Sequence, residues 1–264
     1  MMRRAAIPAC SVLAILSFCF AAIGDEQEAL ANWPTAELHF SRMYYRDYGR
    51  GGGRFGGFGG GFSGCGPGSW LTDCPEAEEH FTMGVGRLTL VDIGDGRMLK
   101  LGDDSLFNYP WLYAVEVGRW YLDDTDAARL REYLLRGGFM MVDDFHGTQQ
   151  WQIFMESMQK VFPDRPIVEI EESEEVMHVL YDLNKEIQIP GIYAIQRGVT
   201  YEQDGVTPHW RGIFDDKGRL MLAINFNMDL GDAWEHADTP YYPEPMTALA
   251  YRFAVNYVVY AMTH

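Results

Sequence analysis

The sequence predicts an α/β fold built on a mainly parallel sheet, and three observations carry that prediction. Between Tyr109 and Ile170, strand-like and helix-like segments alternate at β-α-β-α-β spacing. The run from Phe139 to Val142 is continuously apolar, as expected of a strand covered on both faces. That run ends abruptly in Asp143, Asp144 and His146, polar residues beyond the carboxyl end of a strand, where open α/β sheets bind ligands.

Residues 1–24 read as a secretory signal peptide. Arg3 and Arg4 precede a mainly apolar run from Ala5 to Ile23, with small residues at Ala22 and Gly24. An uncleaved membrane anchor over residues 5–23 is the alternative, weakened by Pro8, Ser11 and Ser17. Residues 25–36 read as a mobile acidic segment, and residues 37–264 as one domain. An exported, periplasmic or secreted protein is the expectation.

"ELHFSRMYY", residues 37–45, alternates as a strand with Leu38, Phe40 and Arg42 on one face. Residues 49–68 are too glycine-rich for a helix or packed strand and read as a long flexible loop insertion. No Gly-Lys-Ser or Gly-Lys-Thr closes that loop, which argues against phosphate cradling. Phe55, Phe58 and Phe62 instead equip it to fold over a cleft or dock a partner.

Of four cysteines, Cys10 and Cys19 fall within the signal, leaving Cys65 and Cys74 for an oxidising compartment. A disulfide is expected, worth roughly 2–3 kcal/mol for so short a loop. Zinc ligation would need a second Cys or His pair at zinc-site spacing, which the sequence lacks.

Pro75 stands at a first helical position, with Glu76, Glu78 and Glu79 in the turn whose dipole favours carboxylates. "YPWLYAVEVG", 109–118, reads as a strand. "LDDTDAARLREYLLRGG" follows as an amphipathic helix with Ala127, Leu130 and Leu134 inward and Gly137 as its left-handed stop. "TQQWQIFMESMQKVF" is a second helix, ended by Pro163 before the short strand "RPIVEI". A hairpin turned at Asp216, Lys217 and Gly218 comes next. The final "PMTALAYRFAVNYVVYAMTH" is apolar nearly all round but broken by Arg252 and Asn256, a buried helix rather than a membrane span.

The formal charge is -17, and removing residues 1–24 takes away two arginines and no acid. Such a field repels nucleic acid and anionic lipid and favours cations or basic partners; a membrane enters only if the N-terminal segment stays uncleaved. A second polar cluster, "NFNMDLGDAWEH", brings Asn225, Asn227, Asp229, Asp232, Trp234, Glu235 and His236. If the two clusters converge, repulsion raises the carboxylate pKa values or calls in a hard cation, for which Asp143, Asp144, Asp229 and Asp232 are the candidate ligands. No cofactor is otherwise required. Two plainer readings stand beside this one. Asp143 or Asp144 could cap the helix from Thr148, and Asp229 a turn; the tryptophans could serve core packing, with Trp234, beside Asp232 and Glu235, the one placed to meet a ligand.

"ELHFSRMYY", Trp70, "LTDCPEAEEHF", "YPWLYAVEVG", "LREYLLRGGFMMVDD", "VFPDRPIVEI", "DLGDAW" and "NYVVYAMT", in that order, resemble the DUF4159 family of uncharacterised exported bacterial proteins. The resemblance implies a flavodoxin-like, class I glutamine amidotransferase-like three-layer sandwich. It also implies a departure: such amidotransferases carry a cysteine on the strained turn after the central strand, and this chain carries Asp143 and Asp144 there. Without that nucleophile, glutaminase activity is not expected. The expectation is a non-catalytic domain binding a small-molecule ligand or protein partner. The alternatives are a metal-assisted hydrolase using Asp143, Asp144 and His146, and an interaction module docking through the glycine and phenylalanine loop.

Overall fold

The computed structural model describes residues 36–48, 65–183 and 186–264. The segment read as a signal peptide, the rest of the chain up to residue 35, and residues 49–64 of the glycine-rich stretch 49–68, with its three phenylalanines, lie outside the described residues. In chain order the regular elements begin with β1 (Leu38–Tyr44), β2 (Arg46–Asp47), α1 (Glu76–Leu88), β3 (Ile93–Lys100), β4 (Trp111–Val115) and β5 (Trp120–Tyr121). They continue with α2 (Asp124–Leu135), β6 (Phe139–Asp143), α3 (Gly147–Val161), β7 (Val168–Glu169) and α4 (Ile192–Gln196). The chain ends with β8 (His209–Phe214), β9 (Leu220–Phe226), α5 (Leu230–Glu235) and α6 (Glu244–Thr263).

Seven strands form one sheet in the order β3-β1-β4-β6-β9-β8-β7. The first five run parallel, while β8 and β7 add antiparallel at the far edge. β2 and β5 pair separately. Because side chains alternate across a strand, β4 and β6 feed two cores at once. Trp111, Tyr113, Phe139 and Met141 meet α1 and α6 on one face. Leu112, Ala114, Met140 and Val142 meet α2 and α3 on the other. The result is a three-layer sandwich, with apolar runs where the sheet is covered on both sides.

Local chemistry sets the helix ends. A capping box between Asp123 and Asp126 starts α2, and Arg219 donates to the carbonyls of Leu134 and Gly138 at its far end. Asn256, which broke the apolar run of the last helix, clamps a loop: it donates to Val176 and Tyr181 carbonyls and accepts from the Tyr181 amide. The β8–β9 hairpin turns at Gly218, whose φ of 84° suits a residue without Cβ. No helix among the described residues is long and apolar enough to cross a membrane.

The structure corrects four details of the sequence reading. Pro75 is the N-cap of α1 rather than its first residue. β4 stops at Val115, since Glu116 turns left-handed and Val117–Arg119 form a 3-10 turn. The segment "RPIVEI" supplies only two strand residues, antiparallel at the sheet edge; the slot beside β6 goes to β9, which brings seven buried residues from far along the chain. β3 escaped the sequence reading because its two glycines and an aspartate weaken the strand pattern, and its pairing with β1 comes from elsewhere in the chain.

Candidate functional site

From β1 the chain crosses to β3 on one side, then moves to β4, β6 and β9 on the other, so strand order reverses between β1 and β4. The carboxyl ends of strands beside such a reversal form a crevice. Here the three adjacent parallel strands β4, β6 and β9 are each followed within one residue by a polar left-handed residue: Glu116 at φ 53°, Asp144 at φ 50° and Asn227 at φ 65°. Asp73, at φ 65°, approaches from the segment before α1. Non-glycine residues held in this region store backbone strain, which concentrates at functional sites.

The two polar clusters named from sequence do meet. Asp143, at the end of β6, accepts from the Leu230 amide at 2.7 Å and the Gly231 amide at 2.9 Å through Oδ2. It therefore holds the start of α5, and its Oδ1 has no partner among the described residues. Asp229 caps the same helix, with Oδ1 2.8 Å from the Asp232 amide. Asp232 in turn accepts from the Ile192 amide at 2.6 Å. Gly191 marks the point of convergence: a Cβ there would lie 2.7 Å from Asp229 Oδ2, 2.9 Å from Glu202 Oε1 and 3.1 Å from Asp232 Oδ2.

Neither Asp143 nor Asp144 caps α3. The first amides of that helix go elsewhere: Gly147 to Asn227 Oδ1 at 2.9 Å, Thr148 to Asp204 Oδ1 at 2.8 Å, and the His146 amide to Gln150 Oε1 at 2.6 Å. Asp144 instead meets His146 Nε2 at 3.1 Å, and Nδ1 of that buried imidazole has no partner among the described residues. Asn227 is spent on structure, bonding Gly147 and the Thr207 carbonyl. Asn225 lies inside the sheet and accepts from the Tyr257 hydroxyl. Trp234 is wholly buried, edge-on to Phe40 and Phe81 in the core beneath α5.

Sequence reasoning missed three carboxylates here. Asp73 carried one signal, its position beside Cys74, which is disulfide-bonded to Cys65. Glu116 carried another, a charge closing an apolar strand. Glu202 carried none, since an irregular segment brings it in. Asp73 is positioned by Arg42, a buried guanidinium lying over the Phe40 and Tyr113 rings. Arg42 pairs with Glu78 and donates to the carbonyls of Trp70 and Thr72, fixing the turn that delivers Asp73.

Among the described residues, no Lys or Arg forms an ion pair with Asp73, Asp143, Asp144, Asp229 or Asp232. Burial pushes the carboxyls of Asp73, Glu116, Asp143 and Asp229 well above the carboxylate range. The charge of Asp144 adds to each, and that of Asp232 adds to Asp73 and Asp229. Asp232 is raised by burial against the pull of the Ile192 amide. Burial and then the charge of Asp232 push Glu235 up to about 7. One carboxylate oxygen from each of Asp73, Asp229 and Asp232 lies within 4.8 Å of the others, and Asp232 is similarly grouped with Glu235 and His236. Such a cluster can hold protons or a positively charged ligand; without either, its desolvation is unfavourable.

A family model described as a domain of unknown function, DUF4159, matches residues 63–262, which include every carboxylate of this site. Comparison with curated proteins gives no match.

Proposed function

The chain belongs to the DUF4159 family, and from that premise we propose that it is an exported, degenerate amidotransferase-like domain that binds a positively charged ligand at the carboxyl edge of its sheet. One observation carries the reading: Asp73, Asp143, Asp144, Asp229 and Asp232 are all buried at the carboxyl edge of the sheet, and among the described residues no Lys or Arg forms an ion pair with any of them. A cation supplies the missing charge and is most favoured where water is excluded. The Cys65–Cys74 disulfide supports an oxidising, extracytoplasmic setting. The absence of cysteine from the β6–α3 turn argues against glutamine hydrolysis.

Thermal melts in chelator at fixed ionic strength test this. Calcium or spermidine should raise the melting temperature, and neither citrate nor glutamine should. Ammonia release from glutamine, or stabilisation by anions alone, would overturn the reading.

A second reading, a metal-assisted hydrolase, is favoured by the Asp144–His146 pair, whose imidazole could act as general base from a left-handed strand-to-helix turn. Turnover of ester or amide substrates that depends on both added metal and His146 would establish it.

A further inference from the structure

Three carboxylates of the cluster differ from the rest in what their oxygens do. Asp143 spends one oxygen on two amides, and Asp144 turns to His146. Asp73, Asp229 and Asp232 each direct an oxygen to a common region less than 4.8 Å across. Oxygens bound to one calcium ion at about 2.3–2.6 Å lie no more than about 5 Å apart, and these three meet that limit. Asp73 is more than nine-tenths buried, and its Oδ2 has no hydrogen-bond partner among the described residues, although it lies against Gly231 where α5 begins. Asp229 and Asp232 each accept a backbone amide on one oxygen, which fixes the orientation of the carboxylate in the way hydrogen bonds to a metal's ligands do.

We infer that Asp73, Asp229 and Asp232 form a site for one hard divalent cation of the calcium or magnesium class, an assignment that rests on the reading of this edge as a cation-binding site. All three donors are carboxylate oxygens, which select hard ions over zinc or copper. The neighbouring group of Asp232, Glu235 and His236 has two partly exposed members and includes a nitrogen donor, so it suits such an ion less well. The site also gives the short disulfide a role. Cys74 is tied to Cys65 immediately after Asp73, so one ligand is carried on a cross-linked turn whose other side is held by Arg42.

The test uses the purified chain, stripped with chelator, and terbium as a luminescent substitute for calcium. Trp234 lies two residues from Asp232, and the Tyr113 hydroxyl shares with Asp73 the space beside Gly231, so excitation of the aromatic residues should sensitise bound terbium. Wild type should give saturable emission displaced by calcium, together with a calcium-induced rise in melting temperature. Both should be lost in Asp73→Asn. Asp229→Asn, which keeps a helix-capping oxygen, should lose them as well. Asp124→Asn, at an exposed acid of α2, should retain them. Melts in chelator establish that each variant is folded. Retention of emission and calcium shift in folded Asp73→Asn and Asp229→Asn would overturn the site, as would their absence from wild type. If calcium and magnesium fail but spermidine stabilises the wild type, the metal assignment falls while the cationic-ligand reading stands. If none of them stabilises it, both fall.

Discussion

Replacing Asp144 with Asn should make the ligand-free protein more stable, the reverse of the usual result for a buried polar residue. Asp144 caps no helix, so no cap is lost. Its backbone φ of 50° is one that Asn tolerates, and an amide oxygen can still accept from His146. What disappears is a charge that helps push up Asp73, Glu116, Asp143, Glu202, Asp229 and Asp232. One pKa unit of relieved shift corresponds to about 1.4 kcal/mol. Neighbours that already hold protons feel little of the relief, so the net gain is about 1–2 kcal/mol. For a domain of this size that raises the melting temperature by about 2–8 °C. Scanning calorimetry at pH 7.5 in chelator measures it. Asp144→Ala separates charge from backbone: it removes the same charge but meets the left-handed penalty, and should fall about 1–2 kcal/mol below the Asn variant. A melting temperature for Asp144→Asn equal to or below wild type, with Asp144→Ala no worse, would refute the argument, because neither repulsion nor strain would then be felt at this turn.

Asp143→Ala strips the Leu230 and Gly231 amides of their acceptor and should cost about 2–4 kcal/mol, seen as a lowered urea midpoint; Asp143→Asn, keeping one acceptor oxygen, should lose much less. The ligand-free protein should also gain stability on mild acidification. Glu116, Asp143 and Glu235 are held above their ordinary values, so between pH of about 4 and about 7 the folded chain binds more protons than the unfolded one. Its stability therefore falls as pH rises through that window. Melting temperatures in chelator that rise steadily from pH 5 to 7 would contradict this. Below the window the trend should reverse: the Arg131 guanidinium holds Asp164 down at about 2, so the unfolded chain protonates this carboxyl first and its contribution is lost as pH falls towards that value. Reduction of the Cys65–Cys74 bridge should lower stability by roughly 2–3 kcal/mol in the chain-entropy model, and nonreduced peptide mapping should recover the linked pair.

Elements whose own residues bury them were legible in the sequence. The apolar run of β6, the capped amphipathic α2, the β8–β9 turn and the apolar α6 each carry local periodicity or cap chemistry that holds in any α/β context. The pairing of Cys65 with Cys74 followed from reading residues 1–24 as a signal, which leaves two cysteines in the rest of the chain. The acids at the end of β6 and after β9 were visible as polar residues closing apolar runs, but their duties were not. Whether Asp143 meets an amide of α3 or of α5 depends on which strand lies beside β6, and that choice is made by the burial of β9 from some eighty residues downstream. Asp73, Glu116 and Glu202 have no sequence spacing to join them, because they come from three separate connections converging on a reversal of strand order. Local propensity determined the parts of this protein, while the charge of its site arises only from long-range packing, which excludes water from carboxylates that the sequence keeps far apart.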